Sequence, residues 1–184
     1  MLDACAAPGG KTGQIAEHFP EAEVTALDVD TNRLKQVEQN CRRLGITPVL
    51  LQGDAAQPAQ WWDGRPFDAV LLDVPCSATG IIRRQPYLKW HRRESDIASL
   101  CGLQARILDA IWPLVKPGGV LVYATCSILP EENADQVSAF LARHADVRED
   151  TPTTARSVAT PVGCQLLPQP GGHDGFFFAR LRKQ

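Results

Sequence analysis

The sequence predicts an α/β domain: a doubly wound, mostly parallel sheet with one antiparallel strand at an edge. Three observations carry this expectation. Short apolar runs bounded by turn residues alternate with segments whose apolar residues recur at helical spacing. The first run ends in a Pro-Gly-Gly turn that leads straight into a helical pattern. The run Phe67–Asp73 is apolar enough to be buried on both faces, as parallel strands are. A chain of 184 residues suits a single domain with its own core, spanning 1–184.

Leu2 to Ala6 reads as the first strand, and residues 24–28 as the second. Thr31 to Leu44 reads as a helix, with Leu34, Val37, Cys41 and Leu44 on one stripe and Gly45 as its stop. Thr47 to Gln52 is the third strand and Phe67 to Asp73 the fourth. Ser95 to Val115 predicts a long helix that turns Ile97, Leu100, Leu103, Ile107 and Ile111 to the core. A turn at Lys116–Gly119 precedes the fifth strand, Val120 to Thr125. Pro130 starts a further helix, where its missing N–H costs nothing, and Val137, Phe140 and Leu141 form its apolar face. Residues 151–172 are rich in Thr, Pro and Gly and read as a surface loop. Gly175 to Arg182 is the final strand, antiparallel at one edge.

A formal net charge of −2 excludes a chain that coats itself on nucleic acid by overall charge; binding there needs a local basic patch. There is no transmembrane run and no basic segment ahead of an apolar one, so neither membrane contact nor a signal peptide is expected, and the location expected is cytosolic. A monomer is expected. Cysteines stand at 5, 41, 76, 101, 126 and 164 without a C-x-x-C pair, so no metal site is expected. Disulfides are not expected in a reducing compartment. Cys41 and Cys101 fall in helical patterns and are expected in the core. Cys164 lies in the Pro-rich stretch with no evident role.

The opening loop tests two nucleotide patterns and fails both. Gly10-Lys11-Thr12 fits the second half of a phosphate loop, but Cys5 occupies the position where glycine is required. Gly9 and Gly10 are adjacent, so the spaced glycines of a dinucleotide fingerprint are missing. What remains is a strand, a glycine turn and a helix N-terminus that bring backbone N–H groups close to a ligand.

In a parallel sheet, ligands bind at the carboxyl ends of the strands. Those ends carry the Ala6-Ala7-Pro8-Gly9-Gly10-Lys11 turn, Asp28 with Asp30 nearby, Asp54, then Asp73, Pro75 and Cys76, and lastly Thr125, Cys126 and Ser127. Any one Asp commonly ends a strand as a turn or cap residue. Their concentration on one rim points to a functional site. Asp28, ending the second strand, suits ribose hydroxyls. A rim this acidic repels a triphosphate and suits a nucleoside without a polyanionic tail.

Cys76 and Cys126 follow strand ends and should lie on neighbouring loops. They read as packing residues, as a redox pair, or as a nucleophile with a helper. The third reading has a specific use. A thiolate adding to carbon 6 of cytosine raises electron density at carbon 5, which then attacks an electrophilic methyl group. An acid near ring nitrogen 3 assists, and Asp73 could supply it. The carbon 5 proton must then leave, and a second cysteine could help release the product. The target base must first leave its stack. Sequence alone does not rank the two thiols.

The segments LDACAAPGGKT, ALDVD, QGDA, DAVLLDVPCSATGIIRRQP, LKW and LVYATCSILPEENADQV together resemble the RNA cytosine-5 methyltransferases, above all the RsmB (Fmu/Sun) type that acts on small-subunit ribosomal RNA. The likeness runs from Leu2 to about Val137 and resumes weakly near Gly175. It implies a Rossmann-like domain that uses S-adenosylmethionine. By matching motif, Cys5 to Lys11 would hold the methionine part, Asp28 the ribose hydroxyls, and Asp54 would sit near the adenine. Asp73 would lie between cofactor and cytosine. The family's TCS cysteine is the nucleophile, which gives Cys126 that role and leaves Cys76 to aid product release. Family members carry an RNA-binding part ahead of the first motif, so the expectation here is a catalytic domain lacking it. A silent fragment that binds cofactor or RNA, and an enzyme acting on transfer RNA, are the alternatives.

Arg83, Arg84, Lys89, Arg92 and Arg93 share the stretch 81–93 with Tyr87, Trp90 and His91. This reads either as a solvated loop or as an RNA contact made by Arg83, Arg84, Lys89 and Trp90, with cations on phosphates and aromatics under bases.

Overall fold

Leu2, Ala4 and Leu27 have no exposed surface, which is what a short strand hemmed in on both sides requires. The computed structural model, which describes residues 1–184, sets them in β1 (Leu2–Ala4) and β2 (Thr25–Asp28), paired in parallel. β3 (Val49–Gln52) extends the sheet beyond β2. β4 (Phe67–Asp73) lies on the other side of β1, and β5 (Val115–Thr125) lies beside β4. The connection from β1 therefore leads one way and that from β3 returns to the other side. This opens a crevice between the carboxyl ends of β1 and β4, the topological switch point of such sheets.

The helices follow their local signals. α1 (Gly10–His18) starts at the glycine turn. In α2 (Thr31–Leu44) the Asp30 side chain accepts from the Asn32 and Arg33 amides, and Gly45 closes the helix at φ 72°. A single turn, α3 (Leu88–His91), precedes α4 (Glu94–Ile111). α4 ends earlier than its apolar pattern suggests: Trp112–Leu114 tightens into a 3₁₀ turn, because Pro113 has no N–H to continue the ladder. A 3₁₀ turn at Pro130–Glu132 leads into α5 (Ala134–Arg143).

β6 (Val147–Glu149), β7 (Cys164–Leu166) and β8 (Phe176–Lys183) complete the sheet. β8 runs antiparallel to β5, as expected, but it is not at the edge: β6 and β7 both pair with its far side. The presumed loop 151–172 thus contains a strand, and Cys164 within it is buried. β5 begins at Val115, five residues before the expected start, because a bulge in its pairing with β4 absorbs the Lys116–Gly119 turn.

Three burial expectations need correction. Val70 and Leu72 of β4 are buried, but Ala69 and Leu71 on the other face are only partly so. Full cover comes on one face, where Ile107, Leu108, Ile111, Val137 and Phe140 of α4 and α5 join one cluster. The inward stripe of α4 consists of Gln104, Ile107, Leu108 and Ile111, whereas Ile97, Leu100 and Leu103 are partly exposed. Cys101 is likewise not in the core. Its thiol donates to the Glu131 carbonyl (3.3 Å), because the first half of α4 runs over the loops after β4 and β5. Cys41 is buried as expected. No helix is long and apolar enough to cross a membrane.

Candidate active site

The loop after β1 is shaped by two left-handed residues, Cys5 (φ 66°) and Gly9 (φ 97°). Gly9 has a second constraint, since a Cβ there would stand 2.9 Å from the Cα of Val37. The turn can therefore press against α2 only with glycine at this position. α1 begins at the next residue, and the amides of its first turn have no intrahelical partner and face the crevice end of the sheet. Asp3 and Thr12 pin the loop from below: the Thr12 hydroxyl donates to Asp3 Oδ2 (2.6 Å), and both residues are fully buried. The second Asp3 oxygen has no partner, and burial raises this carboxyl to about 6.

Asp28 is buried at the end of β2 and accepts from the amides of Ala7 and Asp30 (both 3.1 Å). Arg33, which the sequence reading passed over, donates to the Ala7 carbonyl and lies 3.7 Å from Asp28. Asp54 accepts from the Ala56 amide and the Gln57 side chain, so it shapes its own turn. A cavity of about 90 Å³ lies between these groups, lined by Cys5, Asp28, Arg33, Asp54, Pro75 and Ile107 among others. Its wall is apolar toward α4 and carries carboxylates at the ends of β2 and β3. Burial pushes the Cys5 thiol up to about 12, so this thiol is a neutral wall residue.

Asp73, at the end of β4, pairs with Lys11 at 2.5 Å and ties the glycine turn to the next loop. Beyond it, the sulfurs of Cys76 and Cys126 lie 3.4 Å apart. The two thiols are unequal. The hydrogen bond from Cys76 lowers Cys126 below the ordinary thiol value, overcoming burial and the field of Asp73, with Lys11 assisting. The same bond and burial push Cys76 well up.

The rim thus brings together Cys5–Lys11, Asp28, Asp54, Asp73, Cys76 and Cys126. The basic stretch is less uniform. Arg83 and Arg84 both pair with Asp174 (3.0 and 2.7 Å), and Arg83 also donates to the Gln169 and Gly172 carbonyls. They hold down the loop before β8. Lys89 instead lies 5.5 Å from the centre of the Trp90 ring, and Trp90 is 81% exposed. Sequence reading missed Asp174 because its partners lie some ninety residues away. It also missed Ser77 and Glu132, and placed Ser127 on the rim without giving it a role, although both serines directly follow the two cysteines.

A family model described as 16S rRNA methyltransferase RsmB/F matches residues 1–182. Ribosomal RNA small subunit methyltransferase B of Serratia proteamaculans is 56% identical over 183 residues, covering all of this chain and 42% of that protein. The crystal structure of NSun6 from Pyrococcus horikoshii with SFG superposes with a TM-score of 0.83 at 33% identity, over 99% of this chain and 47% of that one. A methyltransferase homologue from the same organism gives 0.83 at 33% identity, over 100% of this chain and 61% of that one. The chain therefore spans about two fifths of the length of the curated relatives it matches.

Proposed function

Because the chain belongs to the 16S rRNA methyltransferase RsmB/F family, we propose that it methylates carbon 5 of a cytosine in small-subunit ribosomal RNA, using S-adenosylmethionine and a covalent bond from Cys126 to the base. The observation that carries this reading is the 3.4 Å thiol pair on the loops after β4 and β5, on the same rim as the Lys11–Asp73 pair.

The cofactor fits the residues present. The glycine turn can approach a ligand closely, Asp28 offers a fixed carboxylate for ribose hydroxyls, and the cavity wall by Ile107 and Pro75 suits an adenine ring. NSun6 from Pyrococcus horikoshii, with its S-adenosylmethionine analogue SFG, supports the same choice. S-adenosylmethionine when bound supplies an electrophilic methyl group.

The protein does the rest. Cys126, shifted toward thiolate, adds to carbon 6 and makes carbon 5 nucleophilic. Asp73, oriented by Lys11, faces the ring nitrogen where charge develops. After transfer the carbon 5 proton departs, and the electrons of that C–H bond reform the ring double bond and expel the Cys126 thiolate. Cys76, 3.4 Å from that sulfur, is placed to assist. Lys89 and Trp90 make the RNA contact, with Arg83 and Arg84 adding charge at the edge of their pairing with Asp174. A thiol nucleophile needs a reducing compartment, in keeping with a cytosolic enzyme on ribosomal RNA.

The test is incubation with labelled S-adenosylmethionine and unmodified small-subunit ribosomal RNA, then digestion to nucleosides. Label in 5-methylcytidine is the expected result. Label only in transfer RNA offered in parallel would replace the substrate, and label in neither would overturn the activity for this chain.

A further inference from the structure

Each of the two cysteines is followed by a buried serine, and the reaction outlined above uses neither serine. Ser77 is held at every polar atom. Its amide donates to Glu132 Oε1 (2.8 Å) and its hydroxyl to Glu132 Oε2 (2.5 Å), while its carbonyl accepts from Arg92 Nε (2.9 Å). Its oxygen also stands 3.3 Å from that of Ser127, which follows Cys126. Thr79 bridges the two loops, with its oxygen 3.0 Å from Ser127 Oγ and accepting from the Ile128 amide.

Glu132 is the centre of this cluster. It is fully buried, and no Lys, Arg or His pairs with it. Three donors point at it instead: the Ser77 amide, the Ser77 hydroxyl and Gln104 Nε2 (3.0 Å). The same Gln104 amide also donates to the Pro75 carbonyl (2.9 Å), so both residues flanking Cys76 are fixed from α4 and from Glu132. Burying a carboxylate for packing alone is unfavourable, because apolar residues would fill the space at less cost. An acceptor-only group with two oxygens is what three converging donors need.

We infer that Glu132 is a positioning residue that sets the distance between Cys76 and Cys126 by gripping Ser77. This rests on the reading of the two thiols as nucleophile and helper, yet its test does not need RNA. In Glu132→Gln one oxygen becomes an NH₂ group, so the Ser77 hydroxyl must turn to accept where it donated, and the charged grip on Ser77 is weakened with little change in volume.

The experiment treats the reduced 184-residue chain with diamide and follows closure of the Cys76–Cys126 disulfide by peptide mass. Two thiols lose two protons and two electrons to the N=N bond, which becomes a hydrazide, and one S–S bond forms. The wild type should close this pair ahead of any other. Glu132→Gln should close it about tenfold more slowly, since small misplacements cost that much in proximity reactions. Its affinity for S-adenosylmethionine should stay near wild type at a temperature where the variant is fully folded, which a general collapse of the site would not predict. Ser77→Ala keeps the amide anchor and should fall between the two; it decides the matter if Glu132→Gln fails to fold. Unchanged closure in these variants, or a wild-type pair that does not close first, would overturn the inference even where methylation is observed. With RNA, Glu132→Gln should accumulate the covalent adduct that loss of Cys76 gives.

Discussion

The sulfurs of Cys76 and Cys126 share a hydrogen bond across 3.4 Å, although fifty residues separate them in the chain. The bond makes one sulfur a better anion and the other a worse one, so two identical side chains acquire different chemistry. Alkylation by iodoacetamide should therefore label Cys126 with an inflection below the ordinary thiol value of 9.0, and Cys76 only well above it. Cys76→Ala should move the Cys126 inflection upward. Equal inflections for the two thiols would refute the asymmetry.

The same pair predicts opposite losses in turnover. Cys126→Ala should abolish methyl transfer and leave no RNA adduct. Cys76→Ala should stall after addition, giving a slow band on a denaturing gel with ribosomal RNA. Turnover retained by Cys126→Ala would remove it as nucleophile.

Lys11 and Asp73 form a half-exposed ion pair, and such pairs contribute only about 0–1 kcal/mol to stability. Lys11→Met should therefore shift the melting temperature little, yet lower kcat/KM roughly 10- to 100-fold by releasing Asp73 from its position. A large loss of stability with intact kcat/KM would make the pair structural.

Asp3 should leave a signature in pH-dependent stability. Its carboxyl titrates at about 6 when folded against 3.8 when exposed, so the folded chain holds the proton to higher pH. Its contribution is full below about pH 4 and is lost as pH rises through 6, a decline of about 3 kcal/mol. Asp3→Asn keeps an acceptor for Thr12 and carries no charge. Urea denaturation should show the variant gaining on wild type between pH 4.5 and pH 7.5, and a constant difference would contradict the burial of this charge.

Asp174 is 5% exposed in its side chain and receives both Arg83 and Arg84. Asp174→Ala should cost about 1–3 kcal/mol, because two guanidinium groups lose their acceptor. Lys89→Ala and Trp90→Ala should change stability by no more than about 0.5 kcal/mol, as exposed substitutions do, while weakening RNA binding in a filter assay. Equal effects on RNA from all these variants would dissolve the division between grip and contact.

Local physics explains what could be read in advance. α2 was legible from cap to cap, because Asp30, the Leu34–Val37–Cys41 stripe and Gly45 all act within a few residues. β4 was legible in extent, but its one-sided cover was not, since cover depends on where α4 and α5 land. β6 and β7 are three residues each, too short to show alternation, and they exist because β8 offers them an edge.

The sequence by itself determined the alternation of strands and helices, the glycine turn, the gathering of carboxylates and two cysteines on one rim, and the likeness to cytosine-5 methyltransferases. Only the tertiary structure decided that the two thiols meet, that Arg83 and Arg84 pair with Asp174, and that Glu132 holds Ser77. A strand end is signalled by its neighbours in the chain. A hydrogen bond between Cys76 and Cys126, or between Glu132 and Ser77, is made by groups fifty or more residues apart, which meet only when the sheet assembles.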